Sequence, residues 1–409
     1  MGAALEGLRI CDFSGQLAGA GATRFLAAFG AQVIRIEDPV RKGSWDILRG
    51  NSPWKDDRRG IDFGGAFNNH NVEKLGITVN MRESQGIALV EDLIRVSDVV
   101  TENFAAGVLS GWGLTFERLR ELKADIIYVS NCGFGHRGPY RSFKTWGPIV
   151  QAVCGLTFTS GLPDQLPAGW GYSYMDHHGG NFMATAILAA LIHRQRTGHG
   201  QWVDLGCTEA GATLLGPAIL DYTVNGRPSR RDGSPDSNHS LDMAPHAIYR
   251  CEGDDEWVAI ACRSDQEWAS LAEVLSLAEQ DLDRFRTLPL RFEQQPELDT
   301  MIEAWTRNRN KFSVQSTLLA IGIPAAAVQK PAERIDHDLG TSEWGLWPEV
   351  THSAMGTVRV DGIGVHLSET DWAIGRGAPC LGEHTRQVLR EILHKSDQEI
   401  DALEAAGVL

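Results

Sequence analysis

Leu8-Arg9-Ile10-Cys11-Asp12-Phe13, the small-residue turn Ser14-Gly15-Gln16-Leu17-Ala18-Gly19-Ala20-Gly21, and Gln32-Val33-Ile34-Arg35-Ile36-Glu37 form the passage that decides the fold. The first and third runs are short and apolar and read as strands, and the stretch from about Ala22 to Phe29 between them reads as a helix. Together they make a βαβ unit. The alternation continues downstream: Gln85 to Ser97 reads as helix, Asp98 to Thr101 as strand, Phe116 to Leu122 as helix and Asp125 to Ser130 as strand. Such alternation predicts an α/β domain whose parallel sheet is covered by helices, a doubly wound, Rossmann-like arrangement. A dinucleotide fingerprint is tempting at the first turn and fails in detail. In Gly19-Ala20-Gly21-Ala22-Thr23-Arg24 an arginine stands where the third glycine should allow helix and strand to pack closely.

At 409 residues the chain is long enough for two domains. The large α/β domain is expected over 1–200, a linker over 201–231, a smaller α+β domain over 232–328, and a returning C-terminal part of the large domain over 329–409. The linker reading rests on Asn225 to Ser240, rich in Gly, Pro, Ser, Arg and Asp. Beyond it, His246 to Cys251 and Trp257 to Cys262 read as a hairpin, followed by helices at Asp265 to Leu275, Gln294 to Arg307 and Lys311 to Ile321. The tail, with an amphipathic helix from Glu383 to Leu393, has no core of its own and must return to the first domain.

Composition narrows the function class. A hydrophobic share of 43% and a charged share of 22% belong to an ordinary globular protein. The net charge of −15 argues against nucleic acid or an anionic membrane as partner, while leaving room for a local basic pocket. No signal peptide is expected at the N-terminus, and the longest apolar helical stretch, Ala184 to Ile192, is too short to span a bilayer. The seven cysteines form no C-x-x-C pair and the thirteen histidines no H-E-x-x-H, so a cytoplasmic protein without a metal site is expected.

One further run carries chemistry: Gly169-Trp170-Gly171-Tyr172-Ser173-Tyr174-Met175-Asp176-His177-His178-Gly179-Gly180, ahead of a helical stretch from Asn181 to Arg196. A carboxylate such as Asp176 can attack an activated acyl group without a base to deprotonate it. Glycines beside it let a thioester approach, and N–H groups opening the next helix can hold an oxyanion. Asp is equally a favoured N-cap residue, and on this run alone the capping reading is the stronger. Trp170, Tyr172 and Tyr174 point to a partly aromatic pocket.

Longer strings reverse that balance. Leu5-Glu6-Gly7-Leu8-Arg9-Ile10-Cys11-Asp12-Phe13, Phe29-Gly30-Ala31-Gln32-Val33-Ile34-Arg35-Ile36-Glu37, Thr101-Glu102-Asn103-Phe104-Ala105-Ala106-Gly107, Ile187-Leu188-Ala189-Ala190-Leu191, Arg196-Thr197-Gly198-His199-Gly200-Gln201, Gly322-Ile323-Pro324 and Ala378-Pro379-Cys380-Leu381-Gly382-Glu383-His384-Thr385 occur in that order. In this order and spacing the chain resembles the family III CoA-transferases, the group that includes formyl-CoA transferase and carnitine CoA-transferase.

The resemblance implies that Asp176 is the catalytic aspartate, attacking an acyl-CoA to give an aspartyl anhydride and then an aspartyl-CoA thioester. It implies CoA contacts at Gln16, Leu17, Ala18, Asn103 and Phe104, and nucleotide or phosphate contacts at Arg35 and Lys74. It also implies an interlocked homodimer, with CoA thioester as substrate and no permanently bound cofactor. Departures from formyl-type members stand at Gly111, where they carry arginine, and at Cys132, where they carry lysine. Arg137 or Arg58 is expected to replace those contacts. Ser240 to His246 replaces the formyl-type glycine loop, which points to a larger acid, a C4 or C5 dicarboxylate such as succinate or mesaconate.

Two other functions compete. A 2-methylacyl-CoA racemase on this fold needs a histidine opposite the aspartate, but that position holds Trp146, whose indole cannot shuttle protons. A non-catalytic CoA-binding subunit has no need of the carboxylate.

Overall fold

The computed structural model describes residues 2–160, 166–171, 173–227, 240 and 242–409. It divides into two compact units. Met1–Leu156, Gly169–Gly216 and Leu339–Leu409 make the first, and Thr157–Ala168 with Pro217–Asp338 the second. In chain order the elements up to the fifth strand are β1 (Arg9–Asp12), α1 (Ala18–Ala28), β2 (Gln32–Glu37), α2 (Gly65–Asn71), β3 (Leu75–Thr78), α3 (Ser84–Arg95), β4 (Val99–Glu102), α4 (Val108–Gly111), α5 (Phe116–Leu122) and β5 (Ile127–Cys132). Then come α6 (Gly147–Val153), α7 (Leu156–Thr159), α8 (Tyr174–Thr197), β6 (Trp202–Gly206) and α9 (Cys207–Ala212).

The six strands form one sheet in the order β3-β2-β1-β4-β5-β6, every neighbouring pair parallel. Successive residues of a strand face opposite sides, so a sheet buried on both faces needs apolar residues at nearly every position. Ile10, Val33, Val99 and Ile127 enter one core with Leu26 of α1 and Met183, Ala184 and Ile187 of α8. Their neighbours Cys11, Ile34, Val100 and Tyr128 enter the opposite core with Leu89 and Leu93 of α3 and Leu119 of α5. Helices α1 and α8 pack backbone to backbone: a Cβ at Gly180 would lie 2.9 Å from the Ala18 carbonyl oxygen.

The tail completes the second of these cores with Val388 and Leu389 of the helix Thr385–Glu391 and Ile400 of the helix Asp397–Ala405. It is stitched to β3, whose Gly76 N–H donates to His384 Nδ1 at 3.2 Å and whose Thr78 N–H donates to Thr385 Oγ1 at 3.0 Å.

The second unit contains a three-stranded sheet in the order β7-β8-β9, of β7 (His246–Arg250), β8 (Trp257–Ala261) and β9 (Ala325–Ala327). The helices Asp265–Leu275, Gln295–Thr306 and Lys311–Ala320 supply Leu271, Ile302 and Leu318 to its core.

The linker expected over 201–231 needs correction. Residues 202–206 are the edge strand β6, and Cys207–Ala212 and Gly216–Asn225 are helical. Glycines at 200 and 206 and Asp204 break the apolar run, and an edge strand does not need to be apolar throughout. Most of the polar stretch Asn225 to Ser240, and Leu241 within the loop that replaces the formyl-type glycine loop, lie outside the described residues. Among the described residues no helix is long and apolar enough to cross a membrane.

Candidate active site

A cavity of about 390 Å³ opens at the carboxyl ends of β1, β4 and β5, where ligands bind in open α/β sheets. Gln16, Leu17 and Ala18 after β1, Asn103 and Phe104 after β4, and Asp176 all line it. Six of the sequence-predicted residues are thus brought together.

Asp176 lies in the first turn of α8, whose N-cap is Ser173 in the left-handed region at φ 43°. The helix starts seven residues earlier than expected, at Tyr174 rather than Asn181. Aromatics, histidines and paired glycines have modest helix propensity, which tertiary packing overrides here. Ser173 therefore holds the N-cap position, without a side-chain bond to the helix backbone. The two glycines sit inside the helix: Gly180 faces Ala18, and a Cβ at Gly179 would be 2.7 Å from Cys207 Sγ. They allow helix packing rather than approach of a thioester.

The carboxylate of Asp176 accepts hydrogen bonds from the Ser173 hydroxyl and from its own backbone N–H, yet burial dominates and lifts its pKa from 3.8 to about 6. On one flank it meets the first residue of α6, where a Cβ at Gly147 would stand 2.0 Å from Asp176 Oδ2. Only glycine leaves that flank clear. On another side Cys207 Sγ donates to Asn131 Oδ1 at 2.9 Å, and burial pushes the Cys207 thiol up to about 12. A thiol that reluctant to ionise does not compete as a nucleophile at neutral pH.

The loop carrying Gln16 is held from two sides. Asn103 Oδ1 accepts from Gly15 N–H at 2.8 Å and Asn103 Nδ2 donates to the Gly15 carbonyl at 2.9 Å. Gln16, itself at φ 55°, donates its N–H to Asp46 Oδ2 at 2.9 Å.

Arg35 and Lys74 are placed differently from expectation. Both are fully buried and neither lines the cavity. Arg35 Nη2 pairs with Asp46 Oδ2 at 2.7 Å and its Nη1 donates to the Ser14 carbonyl at 2.7 Å. Lys74 Nζ lies 3.4 Å from Asp12 Oδ2 and donates to the Ala20 carbonyl and Asn71 Oδ1, each at 3.0 Å. Burial lowers the Lys74 pKa to about 8 despite Asp12. A phosphate would have to break these pairs to reach either cation. Arg35 lies in β2 and Lys74 immediately precedes β3, and both cations are paired with the chain's own carboxylates.

Arg137 is 85% exposed, 3.7 Å from Asp204, and is not part of the lining. Arg58 stacks over Phe63, 4.3 Å from the ring centroid. The cavity's cations are instead Arg141 and Lys144, on the segment between β5 and α6. Sequence reading missed both, although a loop leaving the carboxyl end of a strand was the signal to search. Its aromatic wall is Trp45, Phe104, Phe143 and Trp146. Trp170 and Tyr174 contact each other, with centroids 5.1 Å apart, outside that lining, and Tyr172 lies outside the described residues.

The sequence model of CoA-transferase family III matches residues 5–385. The chain belongs to that family. It is 31% identical to succinyl-CoA--D-citramalate CoA-transferase of Chloroflexus aurantiacus, covering 99% of this chain and 98% of that protein. It is also 31% identical to succinate--glutarate CoA-transferase of Agrobacterium fabrum, covering 95% of each. Among solved structures, a CAIB/BAIF family protein from Brucella suis shares 27% identity with a TM-score of 0.85, over 96% of this chain and 100% of that one. As a family III CoA-transferase the chain is an enzyme acting in acyl-CoA metabolism.

Proposed function

We propose that this enzyme moves CoA from an acyl-CoA thioester to a dicarboxylic acid of C4 or C5 size, such as succinate or mesaconate, with Asp176 as nucleophile. The observation carrying this reading is the desolvated Asp176 carboxylate in the cavity wall, unobstructed at Gly147. The names of the two similar transferases, one with succinyl-CoA and one with succinate, support the substrate class.

An Asp176 oxygen attacks the thioester carbonyl, the C–S bond breaks, and CoA leaves as thiolate, so that an aspartyl–acyl anhydride forms. The thiolate attacks the Asp176 carbonyl carbon, expelling the donor acid as its carboxylate and leaving an aspartyl-CoA thioester. The acceptor carboxylate then attacks that carbonyl carbon and releases the thiolate again. Attack of the thiolate on the acceptor's acyl carbon frees Asp176 and yields the new acyl-CoA. No net proton, oxidant or bound cofactor is needed. Partial burial strengthens the nucleophile because it strips water from a charge that remains ionised at neutral pH.

Racemisation fits less well, because among the described residues no histidine is in the lining and Trp146 stands on the wall. We place CoA along the wall formed by Gln16, Leu17, Ala18, Asn103 and Phe104, with Arg35 and Lys74 fixing the loop beneath. We further propose a doubly wound large domain and an interlocked cytoplasmic homodimer, for which light scattering at twice the 44.8 kDa chain mass is the first check. The decisive experiment adds hydroxylamine during turnover with succinyl-CoA. An aspartyl hydroxamate is expected at Asp176 only when donor thioester is present, and its absence during active turnover overturns the mechanism.

A further inference from the structure

Charge on the cavity wall is unbalanced in a way the chain is not. The protein carries 53 acidic and 38 basic side chains. Yet among the described residues the lining holds a single carboxylate, Asp176, against two cations, Arg141 and Lys144. The other cations considered for ligand contacts are engaged: Arg35 with Asp46, Lys74 with Asp12, Arg137 with Asp204, and Arg58 over Phe63. Among the described residues Arg141 and Lys144 make no hydrogen bond or ion pair.

The segment presenting them is anchored. At its base a Cβ on Gly133 would meet Thr145 Oγ1 at 1.9 Å, so the two ends of the segment are in contact. Within it Phe134, Tyr140 and Phe143 form a ring cluster with centroids 5.0–5.8 Å apart. His136 N–H donates to Asp204 Oδ1 at 2.8 Å, tying the segment to β6. Arg141 and Lys144 flank Phe143, one of the three clustered rings, so their backbone is held while their charged ends stay unpaired.

We infer that Arg141 and Lys144 form the subsite for the second carboxylate of the substrate, and so select dicarboxylic over monocarboxylic acyl groups. This rests on the CoA-transfer reading and deepens it. The charge count follows the reaction. With Asp176 ionised, the wall carries one net positive charge, which the free carboxylate of a dicarboxylic acyl-CoA neutralises. Once Asp176 is esterified as thioester, its charge is gone and the wall carries two. A dicarboxylate acceptor then brings two negative charges, one to attack the Asp176 carbonyl and one to dock. A monocarboxylate leaves one cation unmatched. Arg141 provides a planar fork for bidentate carboxylate binding and Lys144 a point charge.

The test compares acids that differ only in exchanging one carboxylate for methyl. Wild type, Arg141→Met, Lys144→Met and Arg141→Lys are assayed with succinyl-CoA and butyryl-CoA as donors and with succinate and butyrate as acceptors. Each methionine variant should lower kcat/KM for the dicarboxylic substrates by roughly tenfold to a hundredfold, as expected for loss of a charge-assisted bond. The butyryl and butyrate values should stay within about threefold of wild type, a shift well under the tenfold step of one such bond, and Arg141→Lys should recover part of the loss. Equal losses for both CoA donors with unchanged acceptors would show that the cations hold CoA phosphates, and would overturn the subsite. Unchanged selectivity in variants that still form the Asp176 adduct would overturn it too, with CoA transfer intact. Absence of any adduct in the wild type would remove both readings.

Discussion

Asp176→Asn should abolish transfer and at the same time stabilise the fold. The wild-type carboxyl titrates near 6 instead of 3.8 because folding takes it out of water. A shift of about two units corresponds to roughly 3 kcal/mol of opposing free energy once the group is ionised, at about 1.4 kcal/mol per unit. The group is not completely sealed and the asparagine amide needs a partner of its own, so a net gain of about 1–2 kcal/mol is expected. The sign follows from proton linkage. The folded carboxyl binds its proton more tightly than the unfolded one, so its contribution is fully present below pH 3.8 and is lost as pH rises through about 6. The advantage of the asparagine variant should therefore be complete at pH 7.5 and small at pH 4.5. Urea midpoints measured at both pH values and fixed protein concentration read this directly. A variant less stable than wild type at pH 7.5, or equally stabilised at both pH values, refutes the argument that Asp176 is held desolvated. Retained transfer activity refutes its role as nucleophile.

Other outcomes are expected from the same geometry. Wild-type kcat/KM should fall about tenfold per unit below pH 6, read from a pH–rate profile with substrates ionised throughout. Gly147→Ala drives a methyl to 2.0 Å from Asp176 Oδ2 and should cost about a hundredfold or more in kcat while circular dichroism and Tm stay near wild type. Arg35→Met leaves Asp46 buried without its partner and should destabilise by about 3–5 kcal/mol in chemical unfolding; a raised KM for acyl-CoA in a fully stable variant would restore the phosphate contact that burial argues against. Glu102, lifted to about 8 by burial against hydrogen bonds from Phe104 N–H and Tyr128 OH, makes wild-type stability fall as pH rises from 4.5 toward 8; Glu102→Gln should remove that slope, at most about 1.4 kcal/mol per pH unit.

Residues buried on both sheet faces were the most legible in the sequence. Ile10, Val33, Ile34, Val99 and Ile127 are read as strands because a two-sided core demands uninterrupted apolar runs. β6 escaped because an edge strand tolerates Asp204 and flanking glycines. The N-terminus of α8 escaped because its first turn packs against α6 and α9 through Asp176 and Met175, which propensity does not reveal. Asp176 was legible only through a resemblance spanning the chain, since locally it has the look of a cap. Arg35 and Lys74 were misplaced because charge and strand position do not reveal which carboxylates a side chain will meet. Asp46 and Asp12 lie eleven and sixty-two residues away from them.

Those two buried cations, with Arg49, also explain how the cavity comes to hold one carboxylate alone among the described residues. Asp12, at the end of β1, accepts from Thr23 Oγ1 and Thr101 Oγ1, each at 2.8 Å, and pairs with Lys74. Asp46 is held by Arg35 and receives the Gln16 N–H, and Glu37 is clasped by Arg49 at 2.5 and 2.7 Å. All three acids are fully buried and compensated beside the loop that forms one cavity wall. Had any of them turned into the cavity, its charge would repel an incoming carboxylate and raise the Asp176 pKa further, leaving the nucleophile protonated at neutral pH. Neutralising Lys74 by Met should therefore act twice: it destabilises the fold, and in any molecule that still folds it frees Asp12 to weaken acceptor binding. An increase in KM for succinate larger than that for butyrate, in a Lys74→Met protein stabilised enough to assay, is the expected signature. Equal changes for both acids would confine Lys74 to a structural role.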